Sequence, residues 1–355
     1  MTAQATGLSF VYYGGANLYL TNLCTGRCPY CCLKEWTTRD KGSAQFMSLP
    51  DLDRVIKWLR DSNITFVQLI GGEPMMHPNI AEVVRRLLRN GIHVRTVLTN
   101  GLADAALMKE VSGLVQANWL VNVNHPSTYT AEEWETINRN LDLLMWRGED
   151  RLIAEEPFDP RSLSLQLAVN ISEPGMDYRY IIDLAKKYRC SHIRYAPSHP
   201  SAGGTNRHVT FERLIEVKPT IMSFVREAVA EGILPGLECI LPPCVFTTSE
   251  WSYLLRFTEG LKTICPPDLE VMPDLTVNTC VSLMGRLPSY RVGELSAKEM
   301  LEGFMNSTKK LRDIVPAQCS DCQMFKAMGC QGYCLRLKSE SAKGGWLSGL
   351  LKRKP

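Results

Sequence analysis

From Gly15 to about residue 233, short β-branched apolar runs alternate with longer stretches whose apolar residues recur every three or four positions. That alternation predicts repeated strand–helix units around a parallel sheet. Six strands are expected, over 16–22, 65–70, 93–99, 119–124, 163–170 and 192–197, each followed by a helical pattern. In the first helix Ser48 and Asp51 can cap one another, after which Leu52, Val55, Ile56 and Leu59 repeat on one face. The second begins near Pro78, carries Ile80, Val83, Val84, Leu87 and Leu88 on one stripe, and stops at Asn90-Gly91. Beyond residue 233 the regularity fails, because Pro235, Pro242, Pro243, Pro266, Pro267 and Pro273 interrupt any long element while cysteine density rises.

Composition adds limits. At 355 residues with 45% hydrophobic content the chain can bury one large core and a smaller one. A net charge of +3, from 40 basic and 37 acidic side chains, lacks the concentrated basic character of a nucleic-acid surface. No apolar run reaches the roughly 20 residues that span a bilayer, and the first residues lack a signal-peptide pattern. A soluble cytoplasmic protein is expected, with neither nucleic acid nor membrane as partner. The basic tail ending Leu351-Lys352-Arg353-Lys354-Pro355 reads as a solvated terminus.

Thirteen cysteines change the picture, since disulfides are rare in reducing compartments and clustered thiols there more often bind metal. Cys24, Cys28 and Cys31 follow the first strand, on the loop where βα architectures hold their chemistry. Three thiolates on one loop can hold three irons of a four-iron cluster and leave the fourth open; a zinc site with a distant fourth ligand is the competing reading. Gly71-Gly72-Glu73-Pro74 ends the second strand, and Glu73, buried there, calls for a cationic partner. Cys32 is a spare ligand-like thiol, a hydrogen donor to a substrate radical, or a small buried hydrophobe; Cys190 stands alone and reads as structural.

The three-then-two cysteine spacing, with aromatic Tyr30 just before the third thiol, resembles the radical S-adenosylmethionine (SAM) superfamily. Gly71-Gly72-Glu73-Pro74 resembles that family's GGEP motif, whose segment engages the amino group of the SAM methionine. Thr99-Asn100-Gly101 closes the third strand as in relatives, and Asn122 and Asn124 stand where relatives place a polar contact to SAM, often serine. The resemblance implies a partial (β/α)6 barrel of α/β class over 15–233, after an extension over 1–14. It also implies a [4Fe-4S] cluster on Cys24, Cys28 and Cys31, with Tyr30, Gly71, Gly72, Glu73, Asn100, Asn122 and Asn124 at the SAM site. Reductive cleavage of SAM to a 5′-deoxyadenosyl radical would then abstract hydrogen from a substrate, with a carrier such as flavodoxin or ferredoxin as electron donor.

Cys319, Cys322, Cys330 and Cys334 lie in CSDCQMFKAMGCQGYC, a two-pair array that binds metal, and Pro273-Asp274 sits between candidate strands that would bring Cys265 and Cys280 together across a hairpin. This resembles the SPASM auxiliary-cluster domain, expected over 234–340 with the tail at 341–355. Gly293-Glu294-Leu295 and the helical stretch from Ser296 fit its connecting segment. By that pattern Cys265, Cys280 and Cys334 would join Cys244 around a first auxiliary [4Fe-4S] cluster. Cys319, Cys322 and Cys330 would hold a second, whose fourth ligand is missing, non-cysteine or Cys239. Zinc could also fill a four-thiolate set. Seven residues separate Cys322 from Cys330 where five are usual, and no cysteine follows Cys334.

Function is thereby expected to be oxidation or cross-linking of a peptide or protein side chain. A small-molecule alcohol or amine dehydrogenase is the alternative, and a non-catalytic metal protein the reading from another class. With 23 residues before Cys24, a fused leader-binding domain is not expected at the N-terminus. Sulfatase maturation is disfavoured: that family has a proton-accepting aspartate after the second hairpin cysteine, whereas Val281 follows Cys280 here. Asp268, Glu270 and Asp274 are the nearby carboxylates that could replace it.

Overall fold

The structure, a computed structural model, describes residues 15–115, 117–152 and 165–341, so the extension over 1–14 and the basic tail lie outside the described residues. Its elements in chain order are β1 (Gly15–Tyr19), α1 (Leu49–Asp61), β2 (Phe66–Ile70), α2 (Ile80–Arg89), β3 (His93–Thr99), α3 (Ala105–Leu114), β4 (Asn118–Asn122), α4 (Ala131–Leu152), β5 (Leu165–Ile171), α5 (Arg179–Lys187), β6 (His192–Pro197) and α6 (Phe211–Ala230). There follow β7 (Leu234–Leu237), α7 (Thr248–Phe257), β8 (Glu270–Val271), β9 (Thr276–Asn278), β10 (Tyr290–Arg291), α8 (Ala297–Arg312), α9 (Gln323–Lys326) and α10 (Leu335–Ser341).

All strands belong to one sheet of order β10-β9-β8-β1-β2-β3-β4-β5-β6-β7. From β1 to β7 every neighbouring pair is parallel. The two edges, β10 and β7, do not pair, so the α/β barrel is partial and open. Helical caps follow the sequence logic: the Ser48 side chain accepts from Asp51 N, and α1 buries Leu52, Val55, Ile56, Trp58 and Leu59. In α2 the expected stripe is buried at Ile80, Val83, Val84 and Leu87. The outward faces of the strands and the inward faces of these helices make one continuous core.

Two strands extend the sheet beyond the expected six. β7 continues it past residue 233, so the boundary drawn near 234 falls at the start of a strand. Its Pro235-Gly236 hides it from a propensity reading, yet an edge strand tolerates a proline that a central one would not. On the other side β8 adds to β1 in parallel, with Asn17 opposite Glu270 and Leu18 opposite Val271. β8 then turns back through Pro273-Asp274 into antiparallel β9, as the sequence suggests. The start of α8 is tied to α1 by Trp58 Nε1 donating to Leu295 O at 2.8 Å and Ala297 N donating to Ser62 Oγ at 3.1 Å. Ser296 and Glu299 close a reciprocal capping box on α8.

Phe304 of α8 is fully buried in that shared core, its ring 5.1 Å from Tyr290. Phe304→Ala is expected to cost about 3–5 kcal/mol. Urea unfolding followed by tryptophan fluorescence would check this, a lowered midpoint with an unchanged slope being the expected result.

Candidate active site

The loop after β1 is held against the end of β2 by direct backbone contact. Gly72 N donates to Thr21 O at 2.6 Å and Glu73 N to Leu23 O at 2.8 Å. A Cβ on Gly71 would stand 2.6 Å from Thr21 O, and one on Gly72 would collide with Leu23 O. Only glycine allows that approach, which is the local reason for the Gly-Gly pair.

Glu73 is 2% exposed. The cation that the sequence reading asked for is not there: among the described residues its oxygens accept instead from Thr99 Oγ1 at 2.8 Å, Met75 N at 3.1 Å and Asn100 N at 2.7 Å. Burial pushes its pKa up to about 7, against the pull of these neutral donors. Its carboxyl therefore ties the ends of β2 and β3 together.

The thiols of Cys24, Cys28 and Cys31 converge near these strand ends. Burial and then Glu73 raise Cys24 to about 12; burial raises Cys31 to about 11, with Cys28 adding to both. Several adjoining buried thiolates are unfavourable without a compensating cation, which is the donor chemistry an iron–sulfur cluster satisfies. A chain of side chains reaches this triad from the barrel interior. Asn170 Nδ2 donates to Asn122 Oδ1 at 3.3 Å and Asn122 Nδ2 to the Tyr30 hydroxyl at 3.2 Å. Tyr30 donates in turn to Asn124 Oδ1, and Asn124 Nδ2 reaches Cys28 Sγ at 3.4 Å. Asn100 Nδ2 donates to Thr25 Oγ1 at 3.3 Å and approaches Cys24 Sγ at 4.0 Å. Tyr30, Gly71, Gly72, Glu73, Asn100, Asn122 and Asn124 are thus gathered at one end of the sheet; Asn170 is the member of the network that sequence reasoning missed. Cys190 is buried and bonded to Tyr188 O at 3.7 Å.

Cys32 lies between the triad and the hairpin. Beyond burial, its thiol feels Cys31, Cys280, Glu238 and Glu270. Tyr19, Leu33, Met272 and Val281 form a small apolar cluster with Cys31, Cys32, Trp36, Ile70 and Met284, so Val281 packs where the catalytic loop meets the hairpin. Beside it, Glu270 is 8% exposed; Oε1 accepts from Asn17 Nδ2 at 3.2 Å, and the Tyr19 hydroxyl also lies against the carboxyl. Burial, and after it Asp268, push the Glu270 carboxyl well above the usual range. Asp274 is instead exposed in the hairpin turn, receiving Thr276 N.

The eight C-terminal thiols form two groups of four, and the division differs from the sequence expectation at two positions. Strand-like pairing of 236–241 with 259–262 carries Cys239 towards Cys265. Gln331 binds Cys265 N through Oε1 at 2.9 Å, which draws that segment to Cys330 and Cys334. Beyond burial, Cys239 feels Cys265 and Cys334, and Cys280 feels Cys334 and Cys265. In the other group, Cys319 feels Cys244, Cys330 and Cys322. Cys319 Sγ and Cys330 Sγ also both lie against Gly332, at 3.4 Å from its added Cβ and its amide respectively. Cys239, not Cys244, therefore joins Cys265, Cys280 and Cys334, and Cys244 stands with Cys319, Cys322 and Cys330. The sequence hid this, because Cys239 and Cys244 lie five positions apart, Cys239 before Pro242-Pro243 and Cys244 within the turn Pro243–Val245. Among the described residues no three His, Cys, Asp or Glu side chains gather tightly enough for a single metal ion.

Residues 18–143 match the family model of the radical SAM superfamily. It is 29% identical over 108 residues to a GTP 3′,8-cyclase of Vibrio parahaemolyticus, covering 30% of this chain and 31% of the relative. It is 26% identical over 135 residues to one from Desulforamulus reducens, covering 35% and 41%. The chain thus spans well under half the length of these curated relatives. Among solved structures it resembles SuiB of Streptococcus suis bound to the precursor peptide SuiA, with TM-score 0.60, 14% identity, and 90% and 71% of the two chains covered. It also resembles anSMEcpe with bound AdoMet and a Cp18Cys peptide, with TM-score 0.61, 14% identity, and 91% and 89% covered. These likenesses give the fold, and the superfamily's cofactors are a [4Fe-4S] cluster and SAM.

Gly72→Ala forces Leu23 and its loop outward. A loss of about 1–3 kcal/mol is expected from overpacking, together with reduced iron retention after anaerobic reconstitution. Chemical denaturation and iron analysis of the same preparation would check both.

Proposed function

We propose that the chain is a radical SAM enzyme that oxidises or cross-links a peptide or protein side chain. The observation that carries this reading is the three-thiol loop at the strand ends, facing across the apolar Tyr19–Val281 cluster towards a complete group of four further thiols. When bound, the cluster and SAM supply a 5′-deoxyadenosyl radical that abstracts a substrate hydrogen atom.

The protein's part is positioning. Cys24, Cys28 and Cys31 would hold the catalytic cluster, and the Asn124 amide, donating to Cys28 Sγ, orients that thiol. The 71–73 backbone, pinned by Glu73, is the surface for the SAM methionine, while Asn100, Asn122 and Tyr30 line its polar side. Cys239, Cys265, Cys280 and Cys334 hold the first auxiliary cluster; Cys244, Cys319, Cys322 and Cys330 hold the second. Tyr19, Ile70, Val281 and Met284 exclude water from the space between catalytic loop and hairpin. Glu270, buried beside that space, is the carboxyl group for the proton-accepting role that Val281 cannot fill.

Peptide binding by the SuiB and anSMEcpe neighbours supports the substrate class. The GTP 3′,8-cyclase relatives favour a second reading, nucleotide cyclisation, for which the stretch of identity is the support. GTP consumption by the reduced enzyme, with SAM-dependent product, would favour it over the first.

Single Cys24→Ala, Cys28→Ala and Cys31→Ala variants, reconstituted anaerobically and reduced with dithionite, are expected to form 5′-deoxyadenosine at background levels. Wild-type product from any one of them would refute the assignment. Full reconstitution is expected to give about 12 irons, four for each of three clusters. Cys239→Ser and Cys265→Ser should lower this by about four, and so should Cys244→Ser and Cys319→Ser. The double variant Cys239→Ser/Cys265→Ser should lose no more than either single, whereas Cys239→Ser/Cys244→Ser should lose about eight. A loss of about eight irons from Cys239→Ser/Cys265→Ser would reverse the two upstream ligands.

A further inference from the structure

We propose that the face formed by the end of α8, the α9 turn and the segment between them is the docking site for an acidic one-electron carrier protein. The inference rests on the radical SAM reading and adds to it the place where electrons enter.

Six large apolar side chains are exposed among the described residues, and three of them, Val315, Met324 and Met328, belong to this face, at 54%, 43% and 50% exposure. A cavity of about 490 Å³ lies beside Val315 and Met328, and two thiols of the second group, Cys319 and Cys330, line it. Bases outnumber acids at the rim: Lys309 and Lys310 in the last turn of α8 and Lys326 in α9, against Asp313 and Asp321, while the Arg312 guanidinium turns inward to Cys265 O at 2.7 Å. Lys326 meets Asp321 only at 3.7 Å, with Asp321 itself 99% exposed. Apolar side chains within a basic rim suit a partner whose face is acidic around an apolar redox centre. A second copy of this chain would bring the same basic rim and be repelled.

The position also serves transfer. The second thiol group opens to this cavity, Cys330 and Cys334 are separated by four positions, and Cys280 of the first group lies in the field of Cys32, next to Cys31. Clusters held by the two thiol groups would give an electron entering here successive stations between the surface and the catalytic loop. The step balances: the carrier, a flavodoxin hydroquinone or reduced ferredoxin, is oxidised by one electron. That electron ends in the SAM sulfonium, whose sulfur–C5′ bond breaks to give methionine and the 5′-deoxyadenosyl radical.

The test compares reconstituted wild type with Lys309→Glu/Lys326→Glu and with a control reversal on α1, Lys57→Glu. Each is assayed for 5′-deoxyadenosine with dithionite, with an acidic flavodoxin plus its reductase and NADPH, and with an acidic ferredoxin. Carrier binding is measured separately by titration at low and high salt. The double variant is expected to keep the dithionite rate and iron content, lose at least tenfold of the carrier-driven rate at low salt, and bind the carrier about tenfold more weakly. Lys57→Glu should match wild type, and wild-type affinity should fall as salt screens the rim. Equal carrier-driven rates in wild type and double variant, equal loss in Lys57→Glu, self-association through this face, or no binding of either carrier to wild type would overturn the proposal. If dithionite yields no 5′-deoxyadenosine, the radical SAM reading fails, and the binding titration alone decides the docking surface.

Discussion

Two residue pairs in register, Asn17 with Glu270 and Leu18 with Val271, join the halves of this protein. Without β8 on the free edge of β1, the cysteine-rich region would be an appendage tethered after β7. With it, the hairpin that ends at Cys280 is built onto the first strand of the barrel, whose following loop carries the catalytic triad. The two sites inherit their separation from a hydrogen-bonded ladder rather than from a flexible linker, and the shared core around Phe304 and Trp58 reinforces it. Glu270 enters the interior by the same pairing, since its neighbour Val271 takes the outward face.

Electrostatics sets the second condition. Buried thiols raise one another's pKa throughout this molecule, in the triad and in both C-terminal groups. Desolvation and mutual repulsion hold them as neutral thiols until a cation arrives, so the pockets favour metal centres over isolated thiolates. Glu73 obeys the same physics with a different solution. Its buried carboxyl is met by neutral donors, and the strain of burying charge is spent on clamping two strand ends.

Much of this was legible in the sequence. The six central strands, the first two helices and the Pro273-Asp274 hairpin follow from apolar period and turn chemistry, because each is decided by local residues. β7 and β8 were not legible: one carries Pro235-Gly236 at an edge, and the other is two residues long, so pairing rather than propensity makes them strands. The residues expected around SAM do gather at one end of the sheet, whereas the partner of Glu73 was misjudged because backbone donors leave no mark in a sequence. The exchange of Cys239 and Cys244 has the same origin. Two cysteines five positions apart, one before a prolyl turn and one within it, look interchangeable until the chain direction at the turn is known.

The seven residues between Cys322 and Cys330 are accommodated by α9 and a turn in which Met328 takes a left-handed backbone conformation, φ 55°. Lengthening that loop from five residues to seven costs only about 0.3 kcal/mol of closure entropy, far less than the ligand bonds at its ends. Cysteine intervals in such domains are therefore elastic where a helical turn can absorb the surplus and rigid where a ligand is fixed by its neighbours' hydrogen bonds, as Cys265 is by Gln331. A pattern search that allows the first interval to breathe while keeping a glutamine immediately after the third cysteine of the array would find relatives that a fixed-length motif discards.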